Sequence, residues 1–351
     1  MTPRSTDWTL AALVGVLLAT GLLSFVSGRT QDAWVFTAHG IGGAALGLVT
    51  GWKLRRVWRR VGRRWDRRTW AGVLSTFAVA LTLGSGWAWS GGADLFWLGF
   101  NLLNWHVGLG VAVSVLVLVH SVLRRKPLRL HDLQGRRQFL HALGVGAGAV
   151  VAWRLQRPAA AQLGWRGAER RWTGSYEYGS FAGNAFPATS WIADAPQPLD
   201  AAAYRLHVGG LVQTPLTLTL ADLALADERT ATLDCTGGFY SAHRWRGCTV
   251  AHLIQQAGPL PTAAWVRVTS HTGYRWSFPI AEAADLLLAR TVDDDALDHG
   301  HGGPVRLVAP GRRGFQWIKW VVRIDLLAGY DYGAPASTVW SSWGAAGRGE
   351  G

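Results

Sequence analysis

Two sets of residues in this chain have types and spacings suited to chemistry, and the first surrounds a cysteine. In the segment TLDCTGGFYSAHRWRGC, Cys235 follows a short β-rich run and precedes a Gly-Gly turn, and His243 and Arg244 come a few residues later. A cysteine thiolate is a soft metal ligand, and the imidazole and guanidinium are candidates to face a substrate. With only two cysteines, the chain has no multi-cysteine zinc or iron–sulfur site. A disulfide between Cys235 and Cys248 is the alternative; otherwise Cys248 is predicted to be a small buried hydrophobe.

The second set consists of histidines inside long apolar runs. An ionisable residue in a membrane-spanning helix needs a partner, so it marks a candidate functional site. His39 and His106 lie at similar depths from one end of their runs, which predicts a bis-histidine b-type haem; bonding to neighbouring helices is the alternative. His120 lies on nearly the same helix face as His106, and with His141 it is the candidate ligand pair for a second haem. Glycines crowd the same runs, as expected where backbones approach each other or a flat macrocycle.

Five apolar runs supply the helices that would position these histidines. Hydrophobic residues make up 49% of the 351 residues. Only 16% are charged, against about 25% in ordinary soluble domains. The runs, each near the ~20 residues that cross a bilayer, lie at 8–27, 34–52, 69–90, 98–123 and 138–155. The sequence therefore predicts an all-α transmembrane bundle of four helices in a lipid bilayer, followed by a fifth helix that tethers the rest of the chain.

Basic residues set the predicted orientation of these helices. The net charge of +13 is accounted for by two short loops, 53–68 and 124–137, which follow the second and fourth runs. Charge confined to alternate loops is typical of the positive-inside rule, and it argues against a nucleic-acid partner. The N-terminus is therefore predicted to be cytoplasmic. The chain is expected to be a multi-pass protein of the inner (plasma) membrane, with everything after about residue 160 on the outer, periplasmic side.

From about residue 165 the pattern changes to short β-rich pieces separated by turn residues. Two short helices are predicted among them, near 219–226 and 249–257. This pattern is typical of a strand-rich α+β domain, so the predicted fold is multi-domain. The expected divisions are a helical bundle at 1–130, a fifth span and linker at 131–164, a globular domain at 165–335 and a disordered tail at 336–351.

The globular region carries a second motif, HGHGGPVRLVAPGRRGFQWIKWVVRIDLL, which runs through a Gly-rich loop, a strand and a Pro-Gly turn to Lys319. Together with the cysteine segment it resembles the sulfite oxidase-like family of molybdopterin oxidoreductases. It is most similar to the small bacterial periplasmic members, of the methionine-sulfoxide reductase catalytic subunit type. The resemblance covers about 175–330 and implies a Mo-molybdopterin cofactor, with Cys235 as the protein ligand to molybdenum.

The resemblance also implies further cofactor contacts. Asn184 matches an early polar position, Ser270 a hydroxyl position, and His301 and Arg306 a polar residue followed by an arginine. The full set of implied cofactor contacts is Asn184, Pro187, Ala188, Ser270, His301, Arg306, Trp317, Ile318 and Lys319. Side-chain contact is not expected of Trp317, because other members carry a small hydroxyl residue there. Arg312 and Arg313 are interpreted either as phosphate or substrate contacts or as a solvated turn, and Asp293-Asp294-Asp295 as an exposed turn.

The segment WHVGLGVAVSVLVLVHSVLRR resembles membrane cytochrome b subunits, which pass electrons to or from quinones. Together the two resemblances imply an enzyme that exchanges electrons between the quinone pool and an extracytoplasmic substrate through b haem. Reduction of an S- or N-oxide, such as methionine sulfoxide, is the leading expectation. The alternatives are a sulfite dehydrogenase that passes electrons into the membrane, and a non-catalytic haem electron carrier whose outer domain binds a partner.

The fifth apolar run begins GRRQFLHALGVGAG and resembles a twin-arginine export signal, with Arg136 and Arg137 as its paired arginines. The same arginines also fit the positive-inside pattern. The segment PAAAQ at 158–162 has the small residues of a signal cleavage site, so cleavage and permanent tethering are both open from the sequence.

Overall fold

The computed structural model of the chain describes residues 2–61, 67–123, 135–190, 194 and 196–337. The side chains of 59–61, 67–69, 71, 118, 120–123 and 137 are outside this description. The chain divides into two compact units, Met1–Tyr176 and Glu177–Gly351. The predicted tail at 336–351 falls almost entirely outside the described residues.

The first unit is built from five long helices. They are α1 (Pro3–Ser24), α2 (Ala33–Val61), α3 (Arg67–Gly91), α4 (Leu102–Leu123) and α5 (Arg136–Gln162). The start of α1 follows from its sequence, because the Thr2 side chain accepts a hydrogen bond from the Ser5 N–H and Pro3 occupies the first turn. The main helix packings are α1 on α2, α3 on α4 and α1 on α4, with a smaller α2–α3 contact. Helices α2 and α4 therefore lie diagonally across a four-helix bundle, and α5 packs on α2.

Three helical segments of the described chain are long and apolar enough to cross a membrane: Pro3–Ser24, Thr30–Trp58 and Gly72–Gly91. In α4 the described apolar part, Leu102–Val117, is shorter. The first three predicted runs thus form helices that could cross a membrane, and for the fourth and fifth this stays a prediction. The fourth helix begins at Leu102 rather than at 98, because a hairpin of β1 (Phe96–Trp97) and β2 (Phe100–Asn101) precedes it. This hairpin turns through Leu98 and Gly99, both at positive φ.

The boundary between the units lies at 176, later than the predicted 164. Residues after α5 fold back onto the first unit through a 3-10 turn, Arg166–Glu169. The Tyr176 hydroxyl donates to the Trp89 carbonyl oxygen at 2.5 Å, and the Trp89 indole N–H donates to the Gly174 carbonyl oxygen at 3.0 Å. The last carbonyl groups of a helix have no acceptor role within the helix itself, and the bond from Tyr176 uses one of them at the end of α3. The strand β3 (Tyr176–Glu177) falls at the boundary.

The second unit contains two β-sheets and one regular helix. Its strands are β4 (Leu206–Gly210), β5 (Leu216–Leu218), β6 (Asp227–Asp234), β7 (Phe239–Thr249), β8 (Trp265–Ser270), β9 (Arg275–Pro279), β10 (Leu287–Val292), β11 (Asp295–Ala296), β12 (Arg306–Val308) and β13 (Val321–Leu327). One sheet has the order β5-β4-β13-β8-β9, in which only the β4–β13 pairing is parallel. In the other sheet β7 pairs with β6 and β10, and β10 also pairs with β11 and β12, all antiparallel.

The helix α6 (Val250–Ala257) confirms the second predicted short helix. Its apolar face is buried and it ends at Gly258 with a left-handed φ of 68°. The first predicted helix, near 219–226, is wrong. Asp222 there accepts hydrogen bonds from the N–H and the hydroxyl of Thr219, and the chain turns instead of continuing as a helix.

The core of the second unit joins both sheets and α6. Residues alternate along β7 between the buried face and the more exposed face, as expected for a strand with one face toward a core. Trp245 and Trp276 belong to this core, and Trp320 is buried as well, at 2% exposure. The core therefore supports the ends of β6, β12 and β13, where the candidate site lies.

Candidate functional site

Cys235 lies in the tight turn between β6 and β7. Its Sγ accepts a hydrogen bond from the Gly237 N–H at 3.3 Å and lies 3.5 Å from the Thr189 hydroxyl. Cys235 is half-buried. Both Cys235 and Cys248 are free cysteines, so the disulfide alternative is not realised. Cys248 is buried, and its burial raises the pKa of the thiol to about 11, as predicted for a core hydrophobe.

A buried ion pair between Asp234 and Arg313 fixes the position of Cys235. The Arg313 Nη1 atom lies 2.6 Å from Asp234 Oδ1, and Nη2 donates to the Cys235 carbonyl oxygen at 3.2 Å. Gly314 packs so closely that a Cβ there would come within 2.9 Å of Cys235 Cα. Arg312 pairs with Glu282. Both arginines therefore bond to this chain's own carboxylates. Arg313 is buried, which corrects its reading as part of a solvated turn, and a phosphate or substrate contact of either arginine stays a prediction.

Arg306 is a buried cation that lacks a carboxylate partner among the described residues. It is 2% exposed, lies 5.2 Å from the ring centre of Trp245, and donates from Nη1 to the His301 carbonyl oxygen at 2.9 Å. Its Nε has no hydrogen-bond partner. Burial lowers the pKa of Arg306 to about 10. Burying an unpaired cation with an unbonded donor costs free energy, so an anion bound beside Arg306 would stabilise the site.

Lys319 adds a second positive charge at this place. Its Nζ donates to the Gly300 carbonyl oxygen. Burial, followed by the neighbouring charge of Arg306, lowers the pKa of Lys319 to about 7. The two cations thus destabilise each other in the absence of an anion. A phosphate between them would remove that repulsion.

His301 lies beside Arg306, whose guanidinium donates to the His301 carbonyl oxygen. The ring Nδ1 of His301 lies 2.7 Å from Asp298 Oδ1 and its Nε2 lies 2.8 Å from the Phe186 carbonyl oxygen. The expected role of His301 as a polar side-chain contact is therefore changed: the ring holds the loop at 298–303 against Phe186.

Asn184 sits on a 3-10 turn and bonds the loop at 296–298. Its Nδ2 donates to the Ala296 carbonyl oxygen and its Oδ1 accepts from the Asp298 N–H. Ala188 lies near Gly300, since a Cβ on that glycine would approach Ala188 Cβ at 3.4 Å. The structure thus brings the early polar segment, Pro187 included, to the Gly-rich loop of the second motif.

Three other predicted cofactor contacts are buried. Ser270 accepts from the N–H and the hydroxyl of Thr272. Trp317 donates its indole N–H to the Arg312 carbonyl oxygen and packs on Trp245, in line with the expectation that its side chain makes no cofactor contact. Ile318 is a core residue. For Trp317 and Ile318 the backbone is therefore the part available to a ligand.

The structure corrects the interpretation of His243. His243 is fully buried; its Nε2 lies 2.7 Å from the Ser241 hydroxyl and its Nδ1 lies 2.8 Å from Asp293 Oδ2. Arg244 points to the opposite face of β7 and pairs with Asp294 at the surface. The buried His243 ring therefore has no surface to offer a substrate, and a substrate contact of Arg244 stays a prediction. Burial, as the largest cause, lowers the pKa of His243, so the ring is neutral at pH 7.

Asp293 is a residue that the sequence analysis misread. Instead of forming part of an exposed turn, it is buried, has a φ of 52°, and accepts from the N–H groups of Gly183 and Arg244 as well as from His243. It thereby links β7 to the turn that carries Asn184. A run of three acidic residues gave no signal to separate the buried first one from the two exposed ones.

In the first unit, His39 and His106 meet in the core of the bundle. Their ring centres are 6.1 Å apart and the rings are nearly perpendicular, at 84°. His106 Nδ1 donates to the Thr82 carbonyl oxygen at 2.9 Å. His39 Nδ1 lies 2.9 Å from the Thr20 hydroxyl, which itself donates to Val16. Both rings therefore carry their proton on Nδ1, and each Nε2 keeps a lone pair with no hydrogen bond among the described residues.

This arrangement fits two axial ligands of one metal ion. A metal–imidazole bond is about 2 Å and a ring nitrogen lies about 1 Å from its ring centre, so two axial rings have centres about 6 Å apart. A second hydrogen bond that fixes Nδ1 is typical of metal-binding histidines. The fit to a haem is thus good in donor type, protonation and spacing.

Two glycines beside these rings were not predicted from the sequence, because they lie outside the second and fourth apolar runs. A Cβ on Gly86 of α3 would come within 2.7 Å of the His106 ring, and one on Gly21 of α1 within 3.5 Å of the His39 ring. No single-helix pattern could indicate them, because they lie on the neighbouring helices. The rings therefore occupy space that the lack of a side chain at Gly86, in particular, leaves open.

The second predicted histidine pair is not brought together by any described contact. The side chain of His120 lies outside the described residues. The ring of His141 packs on Trp52, with the ring centres 5.4 Å apart. A second haem therefore stays a prediction.

The comparisons with known proteins concern the second unit of the chain. Residues 193–333 match the family described as "Oxidoreductase molybdopterin binding domain". Mitochondrial sulfite oxidase of Homo sapiens is 32% identical over 36% of this chain and 30% of its own length. The protein-methionine-sulfoxide reductase catalytic subunit MsrP of Gluconobacter oxydans is 30% identical over 43% of this chain and 54% of its own length. The solved sulfane dehydrogenase SoxCD of Paracoccus pantotrophus is 29% identical over 38% of this chain and 40% of that one, with a TM-score of 0.36, too low to compare folds.

Residues 193–333 are a molybdopterin-binding domain of the oxidoreductase type. Over this part the chain is similar to sulfite oxidases and to methionine-sulfoxide reductase catalytic subunits. The chain spans 30% of the length of the sulfite oxidase and 54% of the reductase subunit.

Proposed function

We propose that this chain is a membrane-anchored molybdenum oxidoreductase that exchanges electrons between the quinone pool and a substrate outside the cytoplasm. Electrons pass through a b haem held by His39 and His106. The enzyme reduces an S- or N-oxide of the methionine sulfoxide type, and the reaction R₂S=O + 2e⁻ + 2H⁺ → R₂S + H₂O balances with one quinol as the electron and proton donor.

One observation carries this proposal. The bundle holds two imidazoles at 6.1 Å with free Nε2 atoms, in the same chain as a molybdopterin-binding domain with a free thiol. A molybdenum site turns over only when electrons are delivered or removed, and a bis-histidine haem does this one electron at a time. The pair of histidines therefore supplies the redox function that the molybdenum domain requires.

The residues of the second unit have distinct roles in this proposal. Molybdopterin, when bound, supplies the oxygen-atom transfer chemistry. Cys235 holds the metal through Sγ, and the Asp234–Arg313 pair keeps the cysteine turn rigid. Arg306 and Lys319 bind the cofactor's phosphate, and this charge neutralisation relieves their mutual repulsion. His243, with Asp293 and Ser241, holds the strand β7 against the Asn184 turn.

The location of the protein follows from its helices and basic loops. The three helices that are long and apolar enough to cross a membrane, together with the predicted fourth and fifth spans, anchor the chain in the inner membrane. The loops at 53–68 and 124–137 lie in the cytoplasm and the molybdenum domain lies on the periplasmic side. The twin-arginine-like segment serves as the tether. This suits a domain that folds around its cofactor before export.

A second candidate function is sulfite oxidation, with electrons passed into the membrane. The sulfite oxidase of Homo sapiens matches at 32% identity, slightly above the 30% of the Gluconobacter reductase subunit. The same residues would bind the cofactor in either direction. The two candidate functions differ in their substrate and in the direction of electron flow.

The proposal is tested on the purified full chain in detergent. We expect molybdenum in amounts equal to the protein, a b-type reduced-minus-oxidised spectrum, and quinol-dependent reduction of methionine sulfoxide. A Cys235→Ser variant is expected to lose turnover and keep the haem spectrum, whereas the matched Cys248→Ser variant keeps both. Sulfite-dependent haem reduction without sulfoxide reduction would favour the second candidate. Absence of molybdenum would contradict both.

A further inference from the structure

Arg170 is a buried cation in the first unit, just beyond the last helix of that unit. It is 7% exposed. Its Nη1 donates to the carbonyl oxygens of Ser90 and Gly167, at 2.8 and 2.9 Å, and its Nη2 to Gln156 Oε1 at 2.9 Å. All three acceptors are neutral, and no carboxylate pairs with Arg170 among the residues that the structure describes. Burial lowers its pKa, and the nearby charge of Arg157 acts in the same direction.

Arg170 is connected to the histidine pair through Trp153 and α2, without touching either ring. Its guanidinium carbon lies 5.4 Å from the ring centre of Trp153 on α5. That indole presses on Gly40, where a Cβ would come within 2.3 Å of the ring. Gly40 is the residue after His39. One aromatic ring therefore separates the buried guanidinium from the backbone that carries a proposed haem ligand.

Arg170 also adjoins the pair through α3. Ser85 and Gly86 contact the His106 ring, and Ser90, whose carbonyl oxygen Arg170 binds, is one turn further along the same helix. Five residues of helix rise about 7.5 Å. Arg170 is thus placed beyond the rings toward the carbonyl end of α3, and the two lines of contact converge on it.

We propose that Arg170 is the counter-ion for a carboxylate of the haem bound by His39 and His106, namely a propionate at the rim of the macrocycle. The inference rests on the haem site of the proposed function. The ligand chemistry is that of a carboxylate against a buried guanidinium, whose planar donors suit it. The partial negative charge at the end of α3 offsets part of the cost of burying the cation, and a carboxylate supplies the rest.

A counter-ion at this place has a measurable consequence for the haem. A positive charge near the iron and its propionate favours the reduced form, which carries one positive charge less. Removing the charge of Arg170 therefore lowers the midpoint potential. An arginine that only caps α3, with no propionate beside it, predicts a much smaller shift, because its charge acts on the iron from further away and no haem carboxylate is left unpaired when that charge is removed.

The test is a redox titration of the haem band in the full chain, with three variants. Arg170→Gln removes the charge, and Arg170→Lys keeps it while losing the bidentate geometry. Arg166→Gln is the matched control from the same turn, since Arg166 already lies 3.6 Å from Asp94. We expect Arg170→Gln to shift the reduction equilibrium about tenfold, or about 59 mV for a one-electron couple. Arg170→Lys should shift it by less than half of that, and Arg166→Gln should leave it unchanged.

Each outcome decides a different claim. Equal potentials in Arg170→Gln and Arg166→Gln would overturn the counter-ion, as would a fall in Arg170→Lys as large as in Arg170→Gln. If Arg170→Gln retains no haem, the midpoint potential of Arg170→Lys is compared with that of the wild type. A tenfold shift of the reduction equilibrium in Arg170→Lys would then overturn the counter-ion. A wild-type protein without a b-type band would contradict the haem site itself, and the counter-ion with it.

Discussion

Histidines are bonded differently in the two units of this molecule. In the helical unit, His39 and His106 are each held at Nδ1 from one side, and each Nε2 has no hydrogen bond among the described residues. In the strand-rich unit, His243 and His301 are held at both ring nitrogens. The buried imidazole is the same group in both places, but only the first pair has lone pairs left for a ligand.

This difference is the reason for proposing the first pair as ligands and the second pair as structural supports. A ring bonded at one nitrogen is oriented and keeps a lone pair for a ligand, whereas a ring bonded at both nitrogens holds neighbouring segments together. In the second unit the groups proposed to bind the cofactor are instead Cys235, Arg306 and Lys319. The proposal therefore separates the histidines by the number of their hydrogen bonds, and not by burial alone.

The largest expected effect comes from His106→Ala. Loss of one axial ligand should remove the b-type spectrum and quinol-driven turnover. Turnover with a small artificial electron donor should persist, because the molybdenum site is in the other unit. The readouts are the reduced-minus-oxidised spectrum and two parallel assays. A variant that keeps a normal haem spectrum would show that His106 belongs with the structural histidines.

His243→Ala is expected to have the converse result. It leaves the buried Asp293 carboxylate without one of its hydrogen-bond donors, so the free energy of unfolding should fall by about 2 kcal/mol. For a domain of this size that lowers the Tm by roughly 6 °C. Differential scanning calorimetry of the full chain measures the change, and the haem spectrum serves as the internal control. Unchanged stability combined with lost substrate turnover would instead support a substrate-facing histidine.

Gly86→Ala sharpens the comparison at the haem pair. The added methyl would lie 2.7 Å from the His106 ring, so the ring must move away from its bond to Thr82. We expect about tenfold weaker haem retention, the size of effect that loss of an orienting contact produces. Gly84→Ala is the control, because nothing lies within 4 Å of the Cβ at that position. Equal haem retention in the two variants would mean that the ring is not confined at Gly86.

The smallest expected effect is a pH dependence from Lys319. Its folded-state pKa of about 7 lies below the ordinary value for lysine, so between these values the unfolded chain binds more protons than the folded one. Stability of the cofactor-free protein should therefore rise as the pH is raised from 7 to 9.5. Denaturant titrations at several pH values should show this rise in the wild type and a flatter curve in Lys319→Met. Loading with cofactor should flatten the wild-type curve as well, and a rise of equal size in Lys319→Met would contradict the assignment.

Much of the fold was predictable, because each prediction rested on a local pattern. The apolar runs and alternating basic loops indicated the helices, and strand alternation with turn residues indicated the α+β domain. The quoted motifs located Cys235, Arg306 and Lys319, which the structure brings to neighbouring loops. What local patterns could not give was the partner of each group, since Gly86, Asp293 and Thr20 lie on other elements from the histidines they contact.

The errors have the same origin. His243 and Arg244 are adjacent in sequence, but a strand directs them to opposite faces, and only the pairing of β7 with β6 and β10 decides which face is buried. The two compact units divide at 176 rather than at the predicted 164, because the residues after α5 are held by carbonyl groups at the end of α3, far away in sequence.

The central claim, that one chain couples a haem to a molybdenum site, is tested most directly by following the haem during a single turnover. The purified protein is reduced with a slight excess of quinol and then mixed rapidly with methionine sulfoxide, and the b-type band is recorded. The account predicts prompt reoxidation of the haem in the wild type and none in Cys235→Ser. Reoxidation at equal rates in both proteins, or a haem that stays reduced in the wild type with every S- and N-oxide tried, would contradict it.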